Sequence, residues 1–563
     1  MPKAAAAALL LLAVACLRAG SRPPDAPPLN RLLPALGPAV YLSLGEVTRP
    51  ATLMRLGEAR ACAIEAASAS RLRLWIGLTK QPSRGFVEVR AEAGGRTVLE
   101  RRVAAGRLTS WMELSGDVPP GARDLRIRAD LVTAGGRPLP PEGALVALGG
   151  PRLVRRPSRP PRVVLWISQD TVRADRLGAY GYARPTSPVL DRLARESLLF
   201  ENAMATASWT LPSLASQVTS LLPSEHGAVL AELARRPEAG ATVFESLSQH
   251  GFTVIGASAN VLFSAPHGLA DGFDTLLVHD VARADILRWR LLERLEEWDG
   301  GDLALFVHFM DPHLPYVPPP PYDTLFSPPA GERVPATPAE KKRTAWSAAY
   351  DGEIAWTDAQ IGKLLDELRK RGLLDNALVV YSSDHGDELL EHGGFDHGHS
   401  LYEELVRVPL VVRVRGGNGR RIATPVSTLD IAPTILDVLR LPLPASFRGE
   451  SLLRVAEGAA RRKRHLHAET QTKAYLPRQY AVREGDLKCI VGVSRDPEAR
   501  IVERRLFDLR ADPGETRSLP EAAASLRRAA EAYAAAAASP AEPRRADLGA
   551  EGLERLKALG YIQ

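Results

Sequence analysis

The sequence predicts an α/β protein with a mostly parallel central sheet flanked by helices. An N-terminal β-sandwich precedes it and a small C-terminal α+β subdomain follows. Three observations carry this. Residues 40–150 alternate apolar and polar side chains in short runs with turn residues between them. After residue 162 the runs become continuously apolar, as strands buried on both faces require. Those later runs alternate with amphipathic helical patterns, which is the grammar of a sheet covered by helices.

The N-terminus reads "MPKAAAAALLLLAVACLRAG", with Lys3 ahead of an apolar run over residues 4–17. That run is short for a membrane span and suits the h-region of a signal. The Pro-rich "SRPPDAPP" that follows argues against a continued helix. Residues 1–19 are therefore expected to be a signal peptide or lipoprotein signal, with an exported protein in the periplasm or on the outer surface. "AVAC" resembles a bacterial lipobox and makes Cys16 a candidate for lipid attachment, although Ala13 stands where Leu is usual.

Residues 20–155 form the expected sandwich. "RLRLWIGL", "GFVEVRAEA", "RTVLERRVA", "TSWMELSG" and "LRIRADLVTA" have the period of two that half-buried strands need. No cluster of catalytic residue types falls here, which leaves packing, targeting or glycan binding as its roles. "RRPSRPPR", residues 155–162, reads as a stiff basic linker.

The next domain is expected over residues 162–455. "VVLWIS", "FTVIGASAN", "LALFVHFM" and "ALVVYSS" are its buried strands, and "SPVLDRLARESLLF" and "AWSAAYDGEIAWTDAQIGKLLDELRKRG" its helices. Residues 456–563 hold a hairpin in "YAVREGDLKCIVG", an Ala-rich helix and the amphipathic ending "GLERLKALGYIQ".

Net charge is +6, from 72 basic and 66 acidic residues, and the Arg side chains are scattered. This reads as a solvated surface and not as a nucleic-acid footprint. The three cysteines, Cys16, Cys62 and Cys489, make no CxxC pair, so neither a zinc ribbon nor a redox motif is expected. Cys62 and Cys489 fall in different predicted domains and are expected to be unpaired thiols.

The chemistry collects at strand ends, where open α/β sheets bind ligands. "VVLWIS" runs into Gln169-Asp170, "LALFVHFM" into Asp311-Pro312-His313, and "ALVVYSS" into Asp384-His385-Gly386-Asp387. His392, His397 and His399 follow. One such Asp is usually a helix cap; three ends with Asp and His together suit a divalent metal. "ASWTLPSLASQVTS", residues 207–220, offers the hydroxyls Ser208, Thr210 and Ser213 as nucleophiles, or Thr210 and Ser213 as ordinary caps of the following helix. A metal beside a hydroxyl would lower its pKa and aim it.

Five blocks now resemble, in order, the signatures of the sulfatase family within the alkaline phosphatase superfamily. They are "VVLWISQDTVRADRLGAYGY", "WTLPSLASQVTSLLPSEHG", "FVHFMDPHLPYVPP", "SSDHGDELLEHGGFDHGHSLYEELVRVPL" and "LFDLRADPGE". The resemblance covers about residues 162–515, and the ending "LERLKALGYI" is also similar to bacterial members. It implies Asp170, Asp384 and His385 as metal ligands, with Thr210 as the nucleophile touching the same metal. His313 would meet the anionic group of the substrate. His397 falls where the family places a basic group near the scissile bond, with His399 as the second candidate. Arg173, Asp175 and His226 are read as structural.

The departures bear on the reaction. Family members that hydrolyse sulfate esters oxidise a Cys or Ser in Cys/Ser-x-Pro-x-Arg to formylglycine. Here the stretch is Thr210-Leu211-Pro212-Ser213-Leu214, so no formylglycine is expected. Asp170-Thr171 replaces a paired Asp-Asp, and His385 stands where calcium-dependent members have Asn. The donor set points to Mn or Zn ahead of Ca. A sulfated Thr lacks the second hydroxyl by which a formylglycine hydrate expels sulfate, so a phosphoric or phosphonic ester is favoured over a sulfuric ester. The expected partner is a small anionic ester or a glycan- or lipid-linked ester, with no nucleic acid. The competing classes are a non-catalytic member that binds anionic glycans or lipids, and a phosphoryl-head-group transferase.

Overall fold

Alternation in the N-terminal third becomes strands whose burial follows the pleat: Phe86–Ala93 turns every second side chain inward. The computed structural model describes residues 32–66, 70–154, 159–235, 240–327, 337–458, 464–472, 476–519, 523–537 and 544–558. The expected signal and Cys16 lie outside the described residues. The chain forms two compact units that meet in sequence between Ser158 and Arg159.

The first unit contains β1 (Ala39–Leu44), β2 (Val47–Arg55), β3 (Ala59–Ala63), β4 (Ser70–Leu78), β5 (Phe86–Ala93), β6 (Arg96–Ala104), β7 (Met112–Val118), β8 (Asp124–Val132) and β9 (Leu145–Val154). One antiparallel layer runs β1-β2-β9-β4-β7 and the other β3-β8-β5-β6. Leu74, Ile76, Val87, Val89, Ile127 and Leu148 are buried between them in one core.

In the second unit the strands are β10 (Val163–Gln169), β11 (Leu198–Met204), β12 (Thr253–Ser258), β13 (Thr275–Val278), β14 (Leu303–Phe309), β15 (Leu378–Ser383), β16 (Arg407–Arg413) and β17 (Arg420–Ile422). Their order is β17-β11-β16-β15-β10-β14-β12-β13. The five strands from β15 to β13 are mutually parallel, and β16 runs antiparallel to both β15 and β11. Every residue of β10, β12, β14 and β15 is buried, which is why these runs carry no polar alternation.

Helices cover the sheet in two sets. Of α1 (Pro188–Arg195), α2 (Thr210–Thr219), α3 (Val243–Gln249), α4 (Ala284–Leu295), α5 (Pro338–Lys370) and α6 (Ile431–Val438), α5 packs on α1 and α4, while α6 packs on α2 and α3. Trp166 of β10 sits among Phe244 and Phe306 at ring distances of 5.8 and 5.4 Å. Its indole donates to Ser382 Oγ of β15 at 2.9 Å, so the aromatic core fixes the strands whose ends carry the polar clusters.

The α/β fold class predicted from the sequence is the one observed, with one correction inside it. "SPVLDRLARESLLF" is not a single helix. α1 ends at Arg195, Ser197 Oγ bonds back to Leu193 O at 2.6 Å, and "LLFENAM" is β11. Pairing of that apolar run with β16 prevails over its helical period. At the C-terminal end, β18 (Leu466–Thr470), β19 (Arg478–Glu484), β20 (Leu487–Val493) and β21 (Ile501–Asp508) form an antiparallel sheet. The Ala-rich helix α7 (Ala524–Ala537) buries Leu526, Ala530 and Ala534 against it. Cys62 and Cys489 are both free thiols.

Candidate active site

Asp170 follows β10 and Asp384 follows β15, the strand paired with it in parallel. The chain turns sharply directly after Asp170. Thr171 has φ +59°, a left-handed conformation that a β-branched residue adopts only under strain. The turn aims Thr171 N–H at Asp384 Oδ1, 3.2 Å away, and Thr171 Oγ1 at Pro312 O, 2.8 Å away. Ser383 Oγ completes the junction by donating to Gln169 O at 2.8 Å and accepting from Val172 N–H at 2.9 Å.

Asp170, Asp384 and His385 each present a donor atom within 4.8 Å of the others, and all three are fully buried. Among the described residues, Asp170 Oδ1 and Asp384 Oδ2 have no hydrogen-bond partner. Buried carboxylate oxygens left in this way require a proton or a cation. His385 Nδ1 donates to Gly386 O at 3.0 Å, which leaves the Nε2 lone pair facing Asp384 Oδ2 at 3.4 Å and Asp170 Oδ1 at 3.5 Å. Two carboxylates and an oriented imidazole fit a divalent metal ion.

The electrostatics agree with that fit. Burial, then the charge of Asp170, pushes the Asp384 carboxyl well above its usual range. Burial would raise Asp170 too, but its bond from His308 and the nearby His313 and His385 outweigh it and hold the group low. Burial, then His397, lowers the His385 imidazole to about 3, so it is neutral and able to ligate.

α2 carries Thr210 into this cluster. Helical geometry begins at Thr210, and Pro212 falls in the first turn, where a missing N–H costs nothing. Thr210 Oγ1 lies 3.4 Å from Asp170 Oδ2 and 3.3 Å from His385 Nε2. The positive end of the helix faces the same place, which favours negative charge there. Neither Thr210 nor Ser213 caps α2: the cap position is Trp209, without a side-chain bond. Ser213 Oγ instead donates to Asp384 O at 2.6 Å, and Gln217 Nε2 to Ser383 O at 3.0 Å, so the helix is bolted to the end of β15. Ser208 takes part through its backbone, accepting from Gly398 N–H at 2.8 Å.

The histidines separate. The His397 ring lies 4.5 Å from the His385 ring, tilted against it, and 4.9 Å from that of His313, edge-on. Its Nδ1 is committed to Asp387 at 2.7 Å and Asp396 at 2.8 Å. Burial opposes charge on this ring, but Asp396 and Asp387 prevail and raise it well above the usual imidazole value. His399 goes elsewhere: its Nε2 meets Glu388 Oε2 at 2.7 Å, and the pair lines a separate cavity of about 550 Å³. The reason is Gly398 between them, whose φ of +80° breaks the extended chain and lets residues 397 and 399 turn to different neighbours. His226 holds the turn after α2, with Nε2 3.2 Å from Pro212 O. Arg173 is clamped by Asp175 and Glu391 at 2.8 and 2.7 Å.

Two residues at the centre are absent from the sequence reading. Asn260 Nδ2 donates to Asp170 Oδ2 at 2.9 Å, and His308 Nε2 reaches the same oxygen at 3.3 Å. Asn260 follows β12, so the strand-end rule could have found it. His308 lies inside β14 opposite Ser168, whose Oγ it meets at 3.0 Å, and an imidazole within a wholly buried strand was its only signal.

The sequence model described as Sulfatase matches residues 162–441, and that described as N-sulphoglucosamine sulphohydrolase, C-terminal, matches residues 390–530. The chain is 34% identical over 176 residues to a choline-sulfatase of Rhizobium meliloti, covering 31% of this chain and 33% of that protein. It is 33% identical over 182 residues to an N-acetylglucosamine-6-O-sulfatase of Bacteroides thetaiotaomicron, covering 30% and 31%. The chain thus spans about a third of the length of these curated relatives. The phosphonate monoester hydrolase of Agrobacterium radiobacter has a similar fold, with a TM-score of 0.55 at 21% identity, over 71% of this chain and 96% of that one.

Proposed function

The chain belongs to the sulfatase family over residues 162–441, and from that premise we propose that it is a metal-dependent hydrolase of anionic esters with Thr210 as nucleophile. The observation that carries this is the position of Thr210 Oγ1 between Asp170 Oδ2 and His385 Nε2, beside two buried carboxylate oxygens without hydrogen-bond partners among the described residues. A divalent ion held by Asp170, Asp384 and His385 would supply Lewis-acid charge that lowers the hydroxyl pKa and neutralises the ester anion.

Thr210 Oγ1 is the attacking oxygen, with its proton released toward solvent. His313 and the first turn of α2 face the anionic group. His397, its Nδ1 fixed by Asp387 and Asp396, presents Nε2 to protonate the departing oxygen. Attack by water on the Thr210 ester then restores the hydroxyl. A phosphorylated threonine yields to water more readily than a sulfated one, so phosphoric and phosphonic esters rank ahead of sulfuric esters. Mn or Zn is the metal the imidazole-containing donor set favours. The curated relatives act on a sulfated small molecule and a sulfated glycan by their names, which supports an anionic ester as substrate.

Lys3 and the apolar residues 4–17 support export, with Cys16 as a candidate lipid anchor. No helix among the described residues is long and apolar enough to cross a membrane. Mass spectrometry of the mature N-terminus tests export and lipidation together. The catalytic reading is tested by comparing aryl sulfate, phosphate monoester, phosphodiester and phosphonate ester substrates for wild type and Thr210→Ala. Equal rates for the two proteins would remove Thr210 from its role, and a preference for aryl sulfate would reverse the ranking of esters.

A further inference from the structure

His313 belongs to the catalytic cluster on one side and to a cavity of about 750 Å³ on the other. The cavity wall is built from Met310, Leu314, Pro315, Val317, Pro318 and Val281, among others. Arg283, Asp311, Asp323 and Glu353 line it as well, and two of these carboxylates hold its frame. Asp311 Oδ1 accepts from Ala284 N–H and from the Trp356 indole, both at 2.9 Å, and Glu353 Oε1 accepts from Val317 N–H at 2.8 Å. The Pro-rich wall rests closely on α5 at Gly352, where a Cβ would collide with Tyr322 O and Pro318. The hollow is thus preformed, mostly apolar on this wall, and shares His313 with the place where an ester would react.

Its rim carries an independent sign of use. Val281 and Val317 are 59% and 72% exposed, among the most exposed large apolar side chains in the described residues. Val281 also has φ +48°, held by its N–H bond to Ala259 O at 2.8 Å. A β-branched residue is strained in that region and glycine or asparagine would sit there without cost. A side chain that is both strained and in water contributes little to folding, and such outliers gather at ligand sites.

We propose that this cavity receives the alcohol part of the substrate, and that the alcohol is a bulky apolar one, aryl or branched alkyl. The inference rests on the ester-hydrolase reading and names the leaving group for it. An apolar group packed on Met310, Leu314, Pro315, Val317 and Pro318 leaves water on entering.

The test uses 4-methyl-, 4-butyl- and 4-octylphenyl esters, whose phenols differ little in acidity, as phosphonate monoesters and as sulfates. In whichever series wild type turns over, kcat/KM is expected to rise at least tenfold from methyl to butyl. Val317→Asp and Val281→Gly are each expected to cut that ratio at least threefold. Val281→Gly is expected to do so without lowering Tm, because it relieves the backbone. A flat series in wild type, or a ratio unchanged in both variants, would overturn the proposal. If neither ester series is turned over, the hydrolase reading fails separately. Calorimetric binding of the same phosphonates to the Thr210→Ala protein then decides the cavity, with the same thresholds applied to Kd.

Discussion

Thr210 Oγ1 lies 3.3 Å from His385 Nε2, a nitrogen whose lone pair is directed inward because Nδ1 is tied to Gly386 O. A hydroxyl so placed would share the ligand sphere of an ion held by Asp170 and Asp384, and it is not a helix cap. Thr210→Ala is therefore expected to lower kcat/KM by at least ~10³-fold while binding the metal nearly as well, since three donors remain. Thr210→Ser, which keeps the oxygen and loses only a methyl group, should retain activity within about 100-fold of wild type. Steady-state kinetics with metal analysis of both variants separate the two roles. A Thr210→Ala protein as active as wild type would refute the assignment.

The two candidate imidazoles are expected to part company in the same assay. His397 lies against the His385 ring, while His399 is paired with Glu388 away from that cluster. His397→Gln should slow turnover by ~10²-fold or more, and more steeply for esters with poor leaving groups, which is the signature of a lost general acid. His399→Ala should stay within about threefold in kcat/KM and instead lose roughly 1–3 kcal/mol of stability, because the buried Glu388 carboxylate is left short of a partner. Leaving-group dependence of kcat/KM and urea unfolding read the two effects apart.

The sequence disclosed this much because its rules are local. Buried parallel strands ending in Asp are legible from apolar runs and the residues that follow, which placed Asp170, Asp311 and Asp384 at strand ends, and the family resemblance singled out Asp170, Asp384 and His385 among the polar residues there. What depends on side-chain direction was not legible. Residues 397 and 399 have the same type and nearly the same position, and only the fold turns one toward His385 and the other toward Glu388. His308 was hidden because a buried strand supplies no contrast around it, and its partner Asp170 lies on the neighbouring strand's end. β11 was read as helix because pairing with β16 is a contact between residues far apart in sequence.

A pH effect away from the catalytic cluster follows from Asp358. Its two oxygens accept from Val189 and Leu190 N–H at 2.9 Å, so a side chain of α5 caps the first turn of α1. Burial raises its carboxyl to about 7 despite those bonds. The folded-state value lies above the unfolded one of about 3.9, so the folded chain holds the proton more tightly. This contribution to stability is fully present below pH ~4 and is lost as pH rises through about 7. Asp358→Asn should be less stable than wild type at pH 5, since one N–H loses its acceptor, and should show a flatter decline between pH 5 and 8. Urea midpoints across that range check it; parallel curves for the two proteins would count against the cap.

Metal loading should reverse the sign of a second pH dependence. Without a cation, Asp384 is held well above its usual range by burial and by Asp170, so in the metal-free protein it favours folding at low pH and opposes it as pH rises. Binding a divalent ion requires the ionised carboxylate and therefore releases a proton, so affinity should strengthen as pH rises. At 100 times the dissociation constant, Mn or Zn should add ~2.7 kcal/mol of stability through mass action. Melting curves with chelator and with added metal, taken at pH 5.5 and 7.5, should show a larger metal-induced rise at the higher pH. Asp384→Asn removes the titrating group, and its residual metal response, if any, should be the same at both values. A metal-induced rise in Tm that is larger at pH 5.5 than at 7.5 in wild type would exclude Asp384 as a ligand that must lose its proton.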